Sequence, residues 1–205
     1  MEPKNILADL LLPNELPAFE HWLQSSEARL RQADELLRGL KLPLWSPLPG
    51  PQAVAYHHPA DVVGYGGAGG GKTDLALGLA LTQHKKSLLL RRELTNTRSM
   101  FDRAREILGD RIGRFNESQS TWKNRETSQK IEFAGCSNPG DEQKYRGRPR
   151  DFIAFDEADQ FPEYVVRFIC GWLRTTVFQQ RCRVLFNFNP PATADGEWLL
   201  EYFGP

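Results

Sequence analysis

Eight consecutive residues, Gly66-Gly67-Ala68-Gly69-Gly70-Gly71-Lys72-Thr73, satisfy the pattern G-x-x-x-x-G-K-[ST] at every fixed position. Glycines without Cβ atoms let backbone N–H groups converge on a polyphosphate, and a helix starting at the end of the loop turns its positive end to the same charge. Lys72 brings a cation within reach of the β- and γ-phosphates, and the Thr73 hydroxyl is a hard oxygen ligand for Mg²⁺. A second cluster, Asp151-Phe152-Ile153-Ala154-Phe155-Asp156-Glu157, puts two adjacent carboxylates after four apolar residues. That run reads as a buried strand, and ligands in parallel α/β sheets sit at the carboxyl ends of strands. Asp156 is expected to hold Mg²⁺ through its water shell, and Glu157 to orient and deprotonate an attacking water. Each cluster alone has a plainer reading, a glycine-rich surface loop or an Asp-Glu pair capping the next helix. Together they predict an enzyme that hydrolyses ATP.

The elements around these residues agree with that chemistry. An apolar stretch over residues 61–65 precedes the glycine loop, and a helix-like stretch over 74–81 follows it, the strand–loop–helix context the motif requires. Residues 87–92 predict a second strand. A helix is expected near 97–108, with Met100, Phe101, Ala104, Ile107 and Leu108 as its apolar stripe. The polar segment 117–134, in which Ile131-Glu132-Phe133 alternates, reads as a hairpin at the sheet edge. A helix around 163–173 and a strand over 184–188 complete the pattern. Upstream, apolar residues from Phe19 to Leu40 recur at helical spacing, which predicts an amphipathic helix over residues 17–40. A proline-rich linker over 43–51 cannot continue it. The expected organisation is an N-terminal helix and linker over 1–48 and a nucleotide-binding domain over 49–205. The expected fold is an α/β P-loop NTPase of the ASCE or RecA-like type, with a mainly parallel central sheet flanked by helices and an added strand between the two nucleotide motifs.

Length and charge set further bounds. The chain has 205 residues, enough for one sizeable α/β domain, and a formal net charge of zero, so it exerts no global pull on nucleic acid. The charge is uneven: residues 91–150 hold fourteen lysines and arginines against nine acids. Cys136, Cys170 and Cys182 show no paired spacing, which suits a reducing compartment. The start lacks a basic-then-apolar signal region and no apolar run approaches membrane length, so a soluble intracellular protein is expected.

From Pro49 to Phe203 the ordered pieces resemble the large subunit of the tailed-phage DNA-packaging terminase. Pro49-Gly50-Pro51-Gln52 ahead of the glycine loop is similar to the family's adenine-reading glutamine. Leu88-Leu89-Leu90-Arg91-Arg92-Glu93, Tyr145-Arg146-Gly147, the acidic strand continuing to Phe161, Leu173-Arg174, Asn187-Phe188-Asn189-Pro190-Pro191 and Gly196-Glu197-Trp198 follow in the family's order. The resemblance implies that Gln52 reads the adenine edge, that Arg146 is an arginine finger inserted into a neighbouring subunit's site, and that Asn189 senses the γ-phosphate. Plainer readings stand beside these roles: a polar linker residue for Gln52, a solvated or DNA-contacting arginine for Arg146 with Arg148 and Arg150 as competitors, and a turn residue for Asn189 with Asn187 as competitor. It further implies Mg²⁺ with ATP, double-stranded DNA held by its phosphates, a portal on a procapsid, a small terminase subunit, a homo-oligomeric ring, and the host cytoplasm. Two departures matter. Gly67, Ala68 and Gly69 stand where some members carry a basic residue, and the chain stops before the family's nuclease domain, so no cleavage activity is expected. Two other classes remain. Asp156-Glu157-Ala158-Asp159 spells the DEAD-box signature, but only 46 residues follow it, too few for a second helicase domain. An ATP-dependent assembly module with little activity alone differs from the motor mainly in degree.

Overall fold

The computed structural model describes residues 17, 21, 24–30, 44–67, 69–109 and 112–204. Most of the helix expected over 17–40 and the P-loop residue Ala68 lie outside the described residues. The chain divides into two compact units, Met1–Pro43 and Leu44–Pro205. In the first, residues 24–30 are helical, and Arg29 donates to the Ser25 carbonyl and hydroxyl, both at 3.2 Å.

The second unit is built on one seven-stranded sheet. Its strands are β1 (Val62–Gly66), β2 (Lys86–Arg91), β3 (Gly113–Asn116), β4 (Thr121–Asn124), β5 (Lys130–Gly135), β6 (Phe152–Asp156) and β7 (Arg183–Phe188), in the spatial order β1-β7-β6-β2-β5-β4-β3. The five strands from β1 to β5 along that order are parallel, and β4 and β3 add on antiparallel. β7 therefore lies between the strand leading into the glycine loop and the strand ending in the acids, which is the added strand of the ASCE type.

Side-chain alternation explains why these runs became strands covered on both faces. Leu89, Phe152, Ala154 and Leu185 face one core, while Leu88, Leu90, Ile153, Phe155, Val184 and Phe186 face the other. The first core is closed by α2 (Lys72–Thr82) and α3 (Leu94–Leu108), through residues such as Leu75, Leu79, Met100 and Phe101. The second is closed by α4 (Glu163–Cys170) and α5 (Trp198–Phe203), through Val165, Ile169 and Leu199.

Three features depart from the sequence expectation. A short helix, α1 (Pro51–His57), begins where the linker was expected to end. Pro51 at its first position suits this, because the missing N–H is one a helix start leaves unbonded anyway. The linker itself belongs to the folded unit: Trp45 lies so close to α2 that a Cβ at Gly78 would stand 2.2 Å from its ring. Finally, the hairpin expected over 117–134 forms, as the antiparallel pair β4–β5, but it is not the sheet edge: β3, starting at Gly113, pairs outside β4, and β5 joins β2 in parallel. The Gly-Arg-Phe-Asn run of β3 is too short and polar to show period-two alternation, so local pattern does not reveal it.

Candidate active site

The glycine loop runs from the end of β1 to the start of α2, and its conformation depends on the missing side chains. Gly67 has φ 97° and Gly71 φ 65°, in the left-handed region that costs other L-residues energy. Gly71 is doubly constrained, since a Cβ there would stand 2.6 Å from the Gln52 amide nitrogen. The Tyr65 hydroxyl donates to the Gly70 carbonyl at 2.8 Å, bracing the loop from β1. Gly66 ends the strand, and Gly71 immediately precedes the first residue of α2, Lys72. Loop N–H groups and the positive end of an eleven-residue helix thus meet at one place.

Residues far apart in sequence converge there. The Thr73 hydroxyl donates to Asp156 Oδ2 at 2.9 Å, across 83 positions. The Lys72 ammonium donates to the Gly67 carbonyl at 2.6 Å and to Asn189 Oδ1 at 2.7 Å. Asn187 Nδ2 donates to Asp156 Oδ1 at 3.1 Å and to the Lys72 carbonyl at 2.8 Å. Asn189 receives a further restraint, its backbone N–H donating to Asp159 Oδ1 at 3.1 Å. Asp156 is buried, whereas the Glu157 side chain keeps 32% of its surface exposed. Glu157 also sits at φ 59°, a left-handed conformation that a non-glycine residue adopts at a cost of about 1–3 kcal/mol and that concentrates at functional sites. The Gln160 amide donates to its Oε2 at 3.2 Å.

Arg91, at the tip of β2, is the site residue that sequence reasoning passed over, although it stood in the arginine pair already noted. Its Nε and Nη2 donate to Asp156 Oδ2 at 2.9 and 2.7 Å, and Nη2 lies 3.4 Å from the Thr73 hydroxyl and 4.0 Å from Glu157. Nη1 is held by the Asn96 carbonyl and the Ser99 hydroxyl. The loop positions 67 and 69 supply no charge, so Arg91 and Lys72 are the cations contacting this cluster among the described residues.

The donor set suits a Mg²⁺ ion. The Thr73 proton is committed to Asp156, which leaves hydroxyl lone pairs beside a carboxylate, the hard-oxygen pairing Mg²⁺ takes. Asn187 Oδ1, buried and without a hydrogen-bond partner, adds an unsatisfied oxygen next to Asp156.

Two predicted residues stand differently. Gln52 is buried under the loop, its Nε2 donating to the Gly71 carbonyl at 2.9 Å and its Oε1 accepting from the Leu48 N–H at 2.6 Å. One amide hydrogen remains for any other partner. Arg146 is exposed after a short 3-10 turn, Asp141–Tyr145, with its guanidinium 5.9 Å from the Phe168 ring centre, and has no hydrogen bond to the P-loop or the acids among the described residues. Its competitors are engaged elsewhere: Arg150 and Arg148 pair with Glu132 at 2.7 and 3.6 Å.

Strand order, loop and acidic strand together define a P-loop NTPase fold with the added strand. Comparison with solved structures narrows the likeness. The large terminase of a thermophilic bacteriophage superposes with TM-score 0.54 at 16% identity, over 71% of this chain and 40% of that one. The HK97 bacteriophage large terminase gives 0.54 at 13%, over 77% and 37%. The large terminase ATPase domain of Thermus phage P74-26 gives 0.52 at 15%, over 78% and 70%. This chain thus shares the fold of the large-terminase ATPase domain, and spans well under half the length of the first two proteins. No protein-family model matches it, and no curated protein matches it by sequence.

Proposed function

We propose that this chain binds ATP with Mg²⁺ and hydrolyses it, and that hydrolysis drives double-stranded DNA into a procapsid. The observation that carries the reading is the 2.9 Å contact between Thr73 of the loop and Asp156 of the acidic strand, with Lys72 and Asn189 joined beside it. Thr73 and Asp156 would hold the metal, which supplies charge neutralisation for the transferring phosphoryl group. Lys72 exchanges its bonds to Gly67 and Asn189 for phosphate oxygens. That exchange frees the Asn189 amide, so occupancy of the phosphate site is felt at the end of β7. Glu157, partly exposed at the strand end, takes the proton of the attacking water. Gln52 shapes the loop from below and has one N–H left for the adenine edge.

Arg146 acts in trans in this reading, entering the site of the next subunit in a homo-oligomeric ring. Its exposure and its place over the Phe168 ring support that role. The fold shared with large terminases supports a portal on the procapsid and a small terminase subunit as partners, and the host cytoplasm as the place of work. Among the described residues no helix is long and apolar enough to cross a membrane. Steady-state hydrolysis by wild type, Lys72→Ala and Glu157→Gln tests the assignment. Turnover in either variant within a few-fold of wild type removes it.

The same position of Arg146 favours a second reading, in which an isolated chain is an assembly module that binds ATP and turns over little alone. The dependence of turnover on protein concentration separates the two.

A further inference from the structure

A cleft of about 510 Å³ opens at the opposite end of the strands from the glycine loop. Among the described residues its wall carries five cations, Lys86, Lys123, Lys130, Arg148 and Arg150, and no carboxylate. One acid behind it, Glu132, meets three of them, at 2.7 Å from Arg150, 3.4 Å from Lys130 and 3.6 Å from Arg148. A single negative charge shared by three positive ones leaves an excess. Lys86 and Lys123 are exposed and bridge to no carboxylate among the described residues. The nearby Asp151 is buried and turned inward, accepting the Lys85 and Lys86 backbone N–H groups at 3.0 and 2.9 Å.

The cleft also offers neutral polar side chains, Thr127 and Ser128, beside the cations. The turn forming the opposite lip is rigid before anything binds. Asn124 Oδ1 accepts from the backbone of Glu126 and Thr127, and the Gln129 amide donates to the carbonyls of Ala80, Leu81 and His84.

We propose that this cleft is a second phosphate site, which takes the phosphodiester backbone of duplex DNA without reading sequence; this rests on the motor reading above. Lysine, arginine, serine, threonine and asparagine side chains are the groups that contact DNA phosphates. Among the described residues the wall has no aromatic side chain, so these offer no platform for the unstacked bases of a single strand. Its position gives the two ligands a common support. Lys86 and Arg91 are the two ends of β2, about 17 Å apart at 3.3 Å per residue. DNA and nucleotide would thus sit at opposite ends of the same rigid strands.

Fluorescence anisotropy of a labelled duplex, titrated with wild type, Lys86→Glu/Lys123→Glu and Lys123→Glu alone at several salt concentrations, tests the proposal. The double variant is expected to bind at least tenfold more weakly at low salt, and the slope of log affinity against log salt to shrink by about 0.9 for each phosphate that is no longer neutralised. Affinity for a fluorescent ATP analogue in the same samples reports the P-loop and is expected to stay within about twofold of wild type, since both lysines lie at the far end of the strands. Duplex affinity that ignores both charge reversals overturns the cleft, and ATP turnover by that same protein leaves the motor reading standing. Cleft-dependent duplex binding without ATP turnover does the reverse. A single strand bound more tightly than the duplex, or inorganic phosphate bound with no duplex binding, also overturns the proposal.

Discussion

The Asp156 carboxylate is engaged from three sides. One oxygen, Oδ2, accepts from Thr73 and twice from Arg91, and the other accepts from Asn187, all in a buried setting. Removing the cation while leaving the acid buried is the damaging direction, because an uncompensated charge remains. Arg91→Ala is therefore expected to lower unfolding free energy by about 3 kcal/mol in urea titrations. A loss under about 1 kcal/mol shows that the pair does not hold the site together. Glu157 is a different case, partly exposed and lightly bonded. In Glu157→Gln the amide preserves shape but takes no proton, so kcat is expected to fall by about 10²–10⁴ with nucleotide affinity retained. Lys72→Ala is expected to lose nucleotide affinity itself in an equilibrium titration, because Lys72 is the cation that the glycine loop carries in the proposed reading.

At the level of elements, α2 and the segment before it are fitted to one another. Glycine in mid-helix costs about 1 kcal/mol relative to alanine, yet Gly78 sits there with the Trp45 ring where a Cβ would go. Gly78→Ala is expected to destabilise wild type by about 1–3 kcal/mol through overpacking, and to stabilise a Trp45→Ala background. The same sign in both backgrounds would mean that the ring moves aside freely. The junction between α2 and β2 holds a second test. His84 is buried, stacked on Phe152 at 4.6 Å, with neither ring nitrogen hydrogen-bonded. Burial first, then Arg183 and Arg181, push its pKa down from 6.5 to about 3. The folded state thus keeps His84 neutral while the unfolded chain takes up a proton below pH 6.5, so stability falls as pH drops from about 6.5 towards 3. Asp151, 3.8 Å away, is shifted upward by burial and contributes the opposite slope just above pH 3.8. Thermal melts between pH 7.5 and 5 should show His84→Phe losing less stability than wild type. Parallel curves would clear His84 of that role.

For the whole molecule, the decisive question is whether one copy holds a complete site. Thr73, Asp156, Glu157, Lys72 and Asn189 are gathered within the chain, and Arg146 is not. If Arg146 serves a neighbour, turnover should rise more than linearly with protein concentration, and Arg146→Ala should remove that rise while sparing nucleotide affinity. Mixing Arg146→Ala with Glu157→Gln protein should restore activity that neither has alone, since one interface then pairs an intact finger with an intact base. Mixtures that associate yet stay inactive would move the finger to Arg148, Arg150 or a position in cis. Such a charge on the transferring phosphoryl group is worth about 10³–10⁵ in rate, so the recovery is large enough to measure.

Local sequence alone determined the glycine loop and the acidic strand and singled out Lys72, Thr73, Asp156 and Glu157 as the candidates for the chemistry, because each motif is contiguous and its chemistry follows from residue type and spacing. It also determined most of the strands and helices, since continuous apolar runs such as Leu88-Leu89-Leu90 and Ile153-Ala154-Phe155 mark strands covered on both faces, while the core each residue joins came from the structure. Only the tertiary structure decided what Arg91, Asn187 and Gln52 touch. Arg91 reaches Asp156 across 65 positions, Asn187 reaches Lys72 across 115, and Gln52 reaches Gly71 across 19. Those meetings depend on β7 and β2 flanking β6 and on α1 tucking under the loop, and strand order is set by how whole faces bury against one another. The basic cleft has the same origin. Its five cations come from three strands and a loop, and they share a wall because β4, β5 and β2 are neighbours in space.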